Sequence, residues 1–258
     1  MMQNLRVSLL QWDLAWENPE QNLLMANKLL GKMIPTDVVV LPEMFTTGFT
    51  MNAKSVAEEM TGTAINWMQN QARIHNVVLT GSLIIKEKNS FFNRAVIAYP
   101  DGNLDYYDKR HLFSYAGEDR VFSPGNNLLT IKYKEWKIKI LICYDLRFPV
   151  WSRNTDDTDV LIYVANWPKV RAYAWNQLLR SRAIENLCYV AAVNRIGTDS
   201  NEIPYQGDTQ MIDFSGKVMA SLEDKEGIIN VTLDRSELTA FRKRFPFLND
   251  RDKFSIEI

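Results

Sequence analysis

The sequence predicts an α/β fold in which sheets lie buried under helices. The runs VVVL (38–41), VVLTGSLII (77–85), LIYVA (161–165) and YVAAV (189–193) indicate strands covered on one or both faces. Segments that read as helices interleave with them, which is the α/β pattern. No internal repeat, low-complexity tract or Gly/Ser linker divides the 258 residues, so one domain over 1–258 is expected.

The elements follow in order. LRVSLLQ (5–11) reads as a strand, and Asn18-Pro19 opens a helix to about residue 33. Proline suits a first helical turn because its missing N–H would have no partner there. TDVVVLPE is a short buried strand ending at Glu43. TGTAINWMQNQARIHN (61–76) is helical and leads into the strand VVLTGSLII. FFNRAVIAYP and LDYYDK form a hairpin about Asp101-Gly102. Residues 128–133 and 136–142 read as strands, as does TDVLIYVAN (158–166). A long helix spans 170–187, and the strand CYVAAVN follows with Cys188 inside it. QMIDF and KVMASL pair about Ser215-Gly216, and GIINVTL (227–233) is the last strand. Asp234, with Glu237 three residues on, caps the final helix.

Composition narrows the function. Hydrophobic residues make up 46% and charged residues 24%, and net charge is −1. Nothing there steers the protein to nucleic acid or an anionic membrane. No run reaches the ~18 apolar residues of a membrane helix, and MMQNLRVSLLQWDLAW lacks the form of a signal peptide, so a cytosolic location is expected. The two cysteines, Cys143 and Cys188, make no disulfide framework, and His75 and His111 lie far from both in metal-ligand spacing. No metal or cofactor is expected.

Three strand ends carry unusual polar residues. Glu43 follows VVVLP and precedes Met44 and Phe45. So surrounded, it reads as a desolvated base with a raised pKa, or as a structural strand-end glutamate. Lys109 stands in YYDKRHLF, where a surface charge is the plain alternative. Cys143 ends the aliphatic run of ILICYDLRFP. A strand, a polar turn and a helix opening at Pro149 would form an elbow that exposes the thiol to free backbone N–H donors, whereas a lone cysteine elsewhere is ordinary core. Cys188, in NLCYVAAV, is read as core.

Taken together, LPEMF, YDKRHLF and CYDLRFP resemble, in order, the three catalytic motifs of the nitrilase superfamily of carbon–nitrogen hydrolases. The resemblance spans essentially the whole chain. It implies an α-β-β-α sandwich, a Glu43–Lys109–Cys143 triad and a homodimer. It also implies a second active-site glutamate, mapped to Glu118 in GEDRVFSPG, which would hold Lys109 or orient substrate. Cys143 would form a thioester, Glu43 would move the protons, and Lys109 with the Tyr144 N–H would meet the carbonyl oxygen. Lys109 is further expected to lower the thiol pKa. Arg147 could grip a substrate carboxylate or make a structural salt bridge. Phe45, Phe113, Tyr144 and Trp167 could wall the pocket, with Asn166 at the same sheet edge. CYDLRFPVWSRN, YVANWP and RAIENLCYVAAVNRIG are similar to the omega-amidase branch. That branch implies a small amide substrate, 2-oxoglutaramate or 2-oxosuccinamate, hydrolysed to the 2-oxo acid and ammonia. The alternatives are a deaminated glutathione amidase or a carbamoyl-amide hydrolase of the same fold, a thiol enzyme pairing Cys143 with His111, or a scaffold with an idle site.

Overall fold

The computed structural model describes residues 3–257. The chain opens with β1 (Leu5–Gln11), crosses through α1 (Pro19–Leu30) to β2 (Val38–Val40), and passes α2 (Ala53–Val56) and α3 (Thr63–His75). Then β3 (Val78–Glu87), β4 (Ser90–Ala98) and β5 (Leu104–Asp108) form a meander. A second series follows: β6 (Thr130–Tyr133), β7 (Trp136–Ile142), β8 (Val160–Val164), α4 (Ala172–Asn186) and β9 (Tyr189–Val193). Hairpins β10 (Ile196–Thr198) with β11 (Pro204–Gln206), and β12 (Thr209–Ile212) with β13 (Val218–Leu222), precede β14 (Gly227–Leu233) and α5 (Arg235–Arg244).

Local chemistry sets the helix ends. The Asn18 side chain accepts the Gln21 N–H, and Pro19 takes the first turn of α1. α3 stops at Asn76, whose φ of 52° is left-handed. The Asp234 carboxylate accepts the N–H groups of Ser236 and Glu237 at the start of α5.

The strands form two six-stranded sheets, ordered β14-β1-β2-β3-β4-β5 and β13-β12-β9-β8-β7-β6, and a two-stranded one, β10-β11. In both large sheets the central trio is parallel, β1-β2-β3 and β7-β8-β9, with antiparallel strands outside. Val7, Leu9, Val38, Val40 and Ile97 of one sheet share a core with Ile138, Ile140, Ile162 and Val190 of the other. Leu29 of α1 and Ile65, Met68 and Ala72 of α3 cover the first sheet outside, and Trp175, Leu179 and Ala183 of α4 cover the second. The fold is therefore an α-β-β-α sandwich, and β2, β8 and β9 read as apolar runs because both their faces are dry.

Strand direction decides which polar residues meet. β5 is antiparallel to β4 and β4 to β3, so β5 runs with β3 and β2. The segment carrying Glu43, after β2, and Lys109, after β5, thus leave the first sheet at one edge. β7 and β8 are parallel and end together at Cys143 and Asn166.

Some boundaries differ from those expected. α1 ends at Leu30, where the Gly31, Lys32 and Met33 N–H groups close on Asn27, Leu29 and Leu30 in tight turns. β2 ends at Val40, and Glu43 sits in the following turn, fastened to β3 by Leu41 N–H to Thr80 O and Phe45 N–H to Ser82 O. No helix opens at Pro149; Cys143–Arg147 is itself a 3₁₀ turn. Cys188 lies between α4 and β9 rather than inside the strand, after Leu187 in left-handed backbone, and is fully buried. α2 and the β10–β11 hairpin were not foreseen, being too short to carry a periodicity.

Candidate active site

Lys109 is the centre of the charge arrangement. Its ammonium is wholly buried, 3.0 Å from Glu43 Oε1 and 3.0 and 2.9 Å from the two oxygens of Glu118. The main chain places it. Lys109 N–H donates to Asn93 O of β4, and Lys109 O accepts the Gly125 N–H. Glu118 follows Gly117 (φ 77°) and accepts the Phe113 N–H at 2.6 Å. Glu43 Oε2 accepts the Asn166 N–H at 2.7 Å, and the Asn166 side chain donates to the Glu43 main-chain oxygen at 2.6 Å. Burial alone would lower the Lys109 pKa; the charges of Glu118 and Glu43 reverse that and hold it above its ordinary value. The Glu118 carboxyl is raised, chiefly by burial and further by Glu43, against the pull of Lys109.

Cys143 begins the turn after β7 with φ 43°, a conformation that costs a non-glycine residue about 1–3 kcal/mol. Asp145 holds it there. Its carboxylate accepts the N–H groups of Ile142 and His111, both at 3.0 Å, and the Tyr107 hydroxyl at 2.7 Å. Sγ makes one long contact, 4.0 Å to Asn166 O. The thiol is raised well above its ordinary pKa, first by burial and then by Glu43. Lys109 does lower it, but burial and Glu43 outweigh that pull.

A cavity of about 530 Å³ opens over Cys143. Phe113, Tyr144, Arg147, Asn166 and Trp167 line it. Phe45 does not: it is fully buried in the core beneath, its ring 5.8 Å from that of Trp67. Phe49 lines the cavity instead, with Lys109 Nζ 5.3 Å from its ring centre. Arg147 stacks over Trp167 at 5.0 Å and Arg171 over Phe113 at 5.0 Å. Among the described residues no carboxylate pairs with either guanidinium, so the structural salt bridge considered for Arg147 is not formed. The Asn166 Oδ1 is buried and unpartnered beside the cavity. His111 is engaged by other groups, its Nδ1 2.8 Å from Asp145 and its ring stacked on Phe148 at 3.7 Å.

The profile of the carbon–nitrogen hydrolase family matches residues 6–243. The chain belongs to that family. Among carbon–nitrogen hydrolases it is 42% identical over 254 residues to omega-amidase YafV of Yersinia enterocolitica, covering 98% of this chain and 99% of that one. It is 34% identical over 250 residues to the 2-oxoglutaramate amidase of Bacillus subtilis, covering 95% and 96%. A CN-hydrolase superfamily crystal structure from Xanthomonas campestris, with an arsenic adduct in its active site, superposes with a TM-score of 0.97 at 42% identity, covering 99% of this chain and 100% of that one.

Sequence reasoning missed part of this carbon–nitrogen hydrolase site. Asn93 and Arg94 interrupt the apolar run FFNRAVIAYP, and a polar pair inside a strand was a usable signal. Asp145 stood in full view within CYDLRFP. Arg171 and Tyr205 carried none: Arg171 stands just before α4 and Tyr205 on the short β11, and only long-range packing brings them to the cavity.

Proposed function

We propose that the protein is an omega-amidase that hydrolyses the terminal amide of small 2-oxo acid amides, 2-oxoglutaramate and 2-oxosuccinamate, through a thioester on Cys143. One observation carries this reading: Asn166 joins the buried Lys109–Glu43–Glu118 cluster to the strained thiol at the cavity, its N–H on Glu43 Oε2 at 2.7 Å and its main-chain oxygen 4.0 Å from Cys143 Sγ. The activities named for the Yersinia and Bacillus relatives support the substrate class.

The chemistry runs as follows. Glu43 takes the Sγ proton while sulfur bonds to the amide carbon, and the carbonyl pair moves onto oxygen. Lys109 Nζ and the Tyr144 N–H, in the first turn after the strand, meet that developing charge. The C–N bond then breaks, Glu43 returns its proton to nitrogen, and ammonia leaves. Water attacks the thioester, gives a proton to Glu43, and the carbonyl closes as the C–S bond breaks and the thiol is reprotonated. Glu118 keeps Lys109 aimed and charged throughout. Arg147 and Arg171, which pair with no carboxylate among the described residues, suit the 2-oxo acid end, and Asn166 Oδ1 is an acceptor for the amide N–H. Exposed Val170, Tyr173 and Ile184, on and before α4, are apolar surface suited to the homodimer, which light scattering on the purified chain checks. A cytosolic setting agrees with a free thiol.

Ammonia release from 2-oxoglutaramate, with intact-mass detection of the acyl adduct, tests the proposal. Wild type is expected to turn over and Cys143→Ala to release none. No release from 2-oxoglutaramate or 2-oxosuccinamate, with release from deaminated glutathione or a carbamoyl amide, would move the substrate to those rivals. Arg147→Met is expected to raise KM at least about tenfold for the 2-oxo acid amides while sparing neutral aliphatic amides.

A further inference from the structure

Asn93 lies within β4, fully buried, with its amide between the two carboxylates. Nδ2 donates to Glu43 Oε1 at 2.8 Å and to Glu118 Oε1 at 3.1 Å. Oδ1 accepts the Ser82 hydroxyl at 2.8 Å, and the Ser82 oxygen accepts the Met44 N–H at 2.8 Å. The single hydroxyl proton is thereby committed, which fixes the amide with its oxygen toward Ser82 and its nitrogen toward the carboxylates. Met44 follows Glu43 and holds φ 43°. A closed ring of contacts runs from the main chain beside Glu43, through Ser82 and Asn93, to the Glu43 carboxylate.

A carboxylate oxygen offers about two lone-pair directions. At Glu43 Oε1, Lys109 and Asn93 occupy both. Oε2 accepts one short bond from the Asn166 N–H and only a 3.5 Å contact from Asn166 Nδ2. Spare basicity therefore remains on Oε2.

We propose that Ser82 and Asn93 form a positioning pair that closes Glu43 Oε1 to proton traffic and leaves Oε2 to take the Cys143 proton. The inference rests on Glu43 as the base, but not on which amide is hydrolysed. In the step, S–H breaks, O–H forms on Oε2, and the sulfur pair forms the bond to carbon. The charged and titratable groups around the carboxylate are Lys109 beyond β5, Glu118 in the following loop and Cys143 beyond β7. Asn93 is a neutral donor shared by the two carboxylates. Taking it away, or giving it a charge, makes the carboxylates hold protons at higher pH, and a base must be ionised to act.

The pH profile of Cys143 alkylation by iodoacetamide, mapped by mass, reads this device without an amide substrate, and kcat and KM on 2-oxoglutaramate are measured beside it. In Asn93→Asp the acid limb of both profiles is expected to rise by about one pH unit or more. At neutral pH, kcat falls at least about tenfold while KM stays within about threefold. Ser82→Ala, which frees the amide to turn, shifts the limb the same way by less, and Ser82→Thr, which keeps the hydroxyl, recovers it. A folded Asn93→Asp protein with the wild-type alkylation profile, or one impaired only in KM, overturns the proposal. If Asn93→Asp does not fold, a folded Ser82→Ala protein with an unshifted profile does so instead. If the profiles shift as stated while wild type releases no ammonia from the omega-amides, the substrate reading falls and this one stands.

Discussion

Cys143 draws its reactivity from its neighbours. Burial and the Glu43 charge raise the thiol, so in the proposed reaction proton loss and attack on carbon coincide. Lys109 serves that step by staying charged and in place, and Glu118 grips it with both oxygens. Glu118→Gln keeps the shape but gives up one anionic contact. It is expected to lower kcat by about 10² or more with little change in KM, read by a coupled ammonia assay. His111 makes the opposite case. Its ring nitrogen is spent on Asp145, which also holds the His111 and Ile142 N–H groups and the Tyr107 hydroxyl. His111→Ala leaves those three in place, so kcat/KM is expected to stay within about tenfold of wild type. Near-total loss in a protein that still folds would instead revive the cysteine–imidazole pairing.

The elements reach the site through close main-chain approaches. Gly125, after Pro124, donates its N–H to Lys109 O, and a Cβ built on it would lie 2.1 Å from Asp108 O. That is backbone against backbone, with no side chain free to yield. Gly125→Ala should therefore push the Lys109 strand end out of place. The expected cost is about 1–3 kcal/mol, seen as a lower denaturant midpoint, together with a fall in kcat. The Pro-Gly turn was legible in the sequence as the companion of Glu118, but not its reason, since that contact joins segments that only the sheet brings together. The same divide recurs. VVVL, LIYVA and YVAAV declared their strands, because dry strands need apolar runs. Nothing local declared that β1-β2-β3 and β7-β8-β9 would repeat one plan, because strand order is a matter of long-range pairing. The motifs around Glu43, Lys109 and Cys143 could be read, since chemistry confines residue types there. Phe45 was misplaced because an aromatic in a motif does not reveal which face of its turn meets the core.

Across the whole molecule, the two sheets are tied at the end away from the site. Asp37 precedes β2, whose other end leads to Glu43. Its carboxylate accepts the Arg6 N–H at 2.9 Å, Arg6 Nη2 at 2.8 Å and Lys134 Nζ at 2.6 Å. Arg6 belongs to β1 of the first sheet and Lys134 to the β6–β7 turn of the second, so one carboxylate bridges both. Burial by itself would raise the Asp37 carboxyl; Arg6 and Lys134 overcome that and hold it well below the usual carboxylate range. A carboxyl depressed in the folded state stabilises the fold fully above its unfolded value of 3.8 and loses that contribution as pH falls toward its folded value. Asp37→Asn removes the titration and weakens the bridge. Because both cations are partly exposed and screened, about 1–2 kcal/mol at pH 7 is expected, and about 2–4 °C of Tm per kcal/mol at this size. The Tm gap between wild type and variant should hold from pH 7 to about pH 5, then narrow steadily below it. A gap that stays constant down to pH 3 would mean that Asp37 acts by packing or neutral hydrogen bonds rather than by its charge.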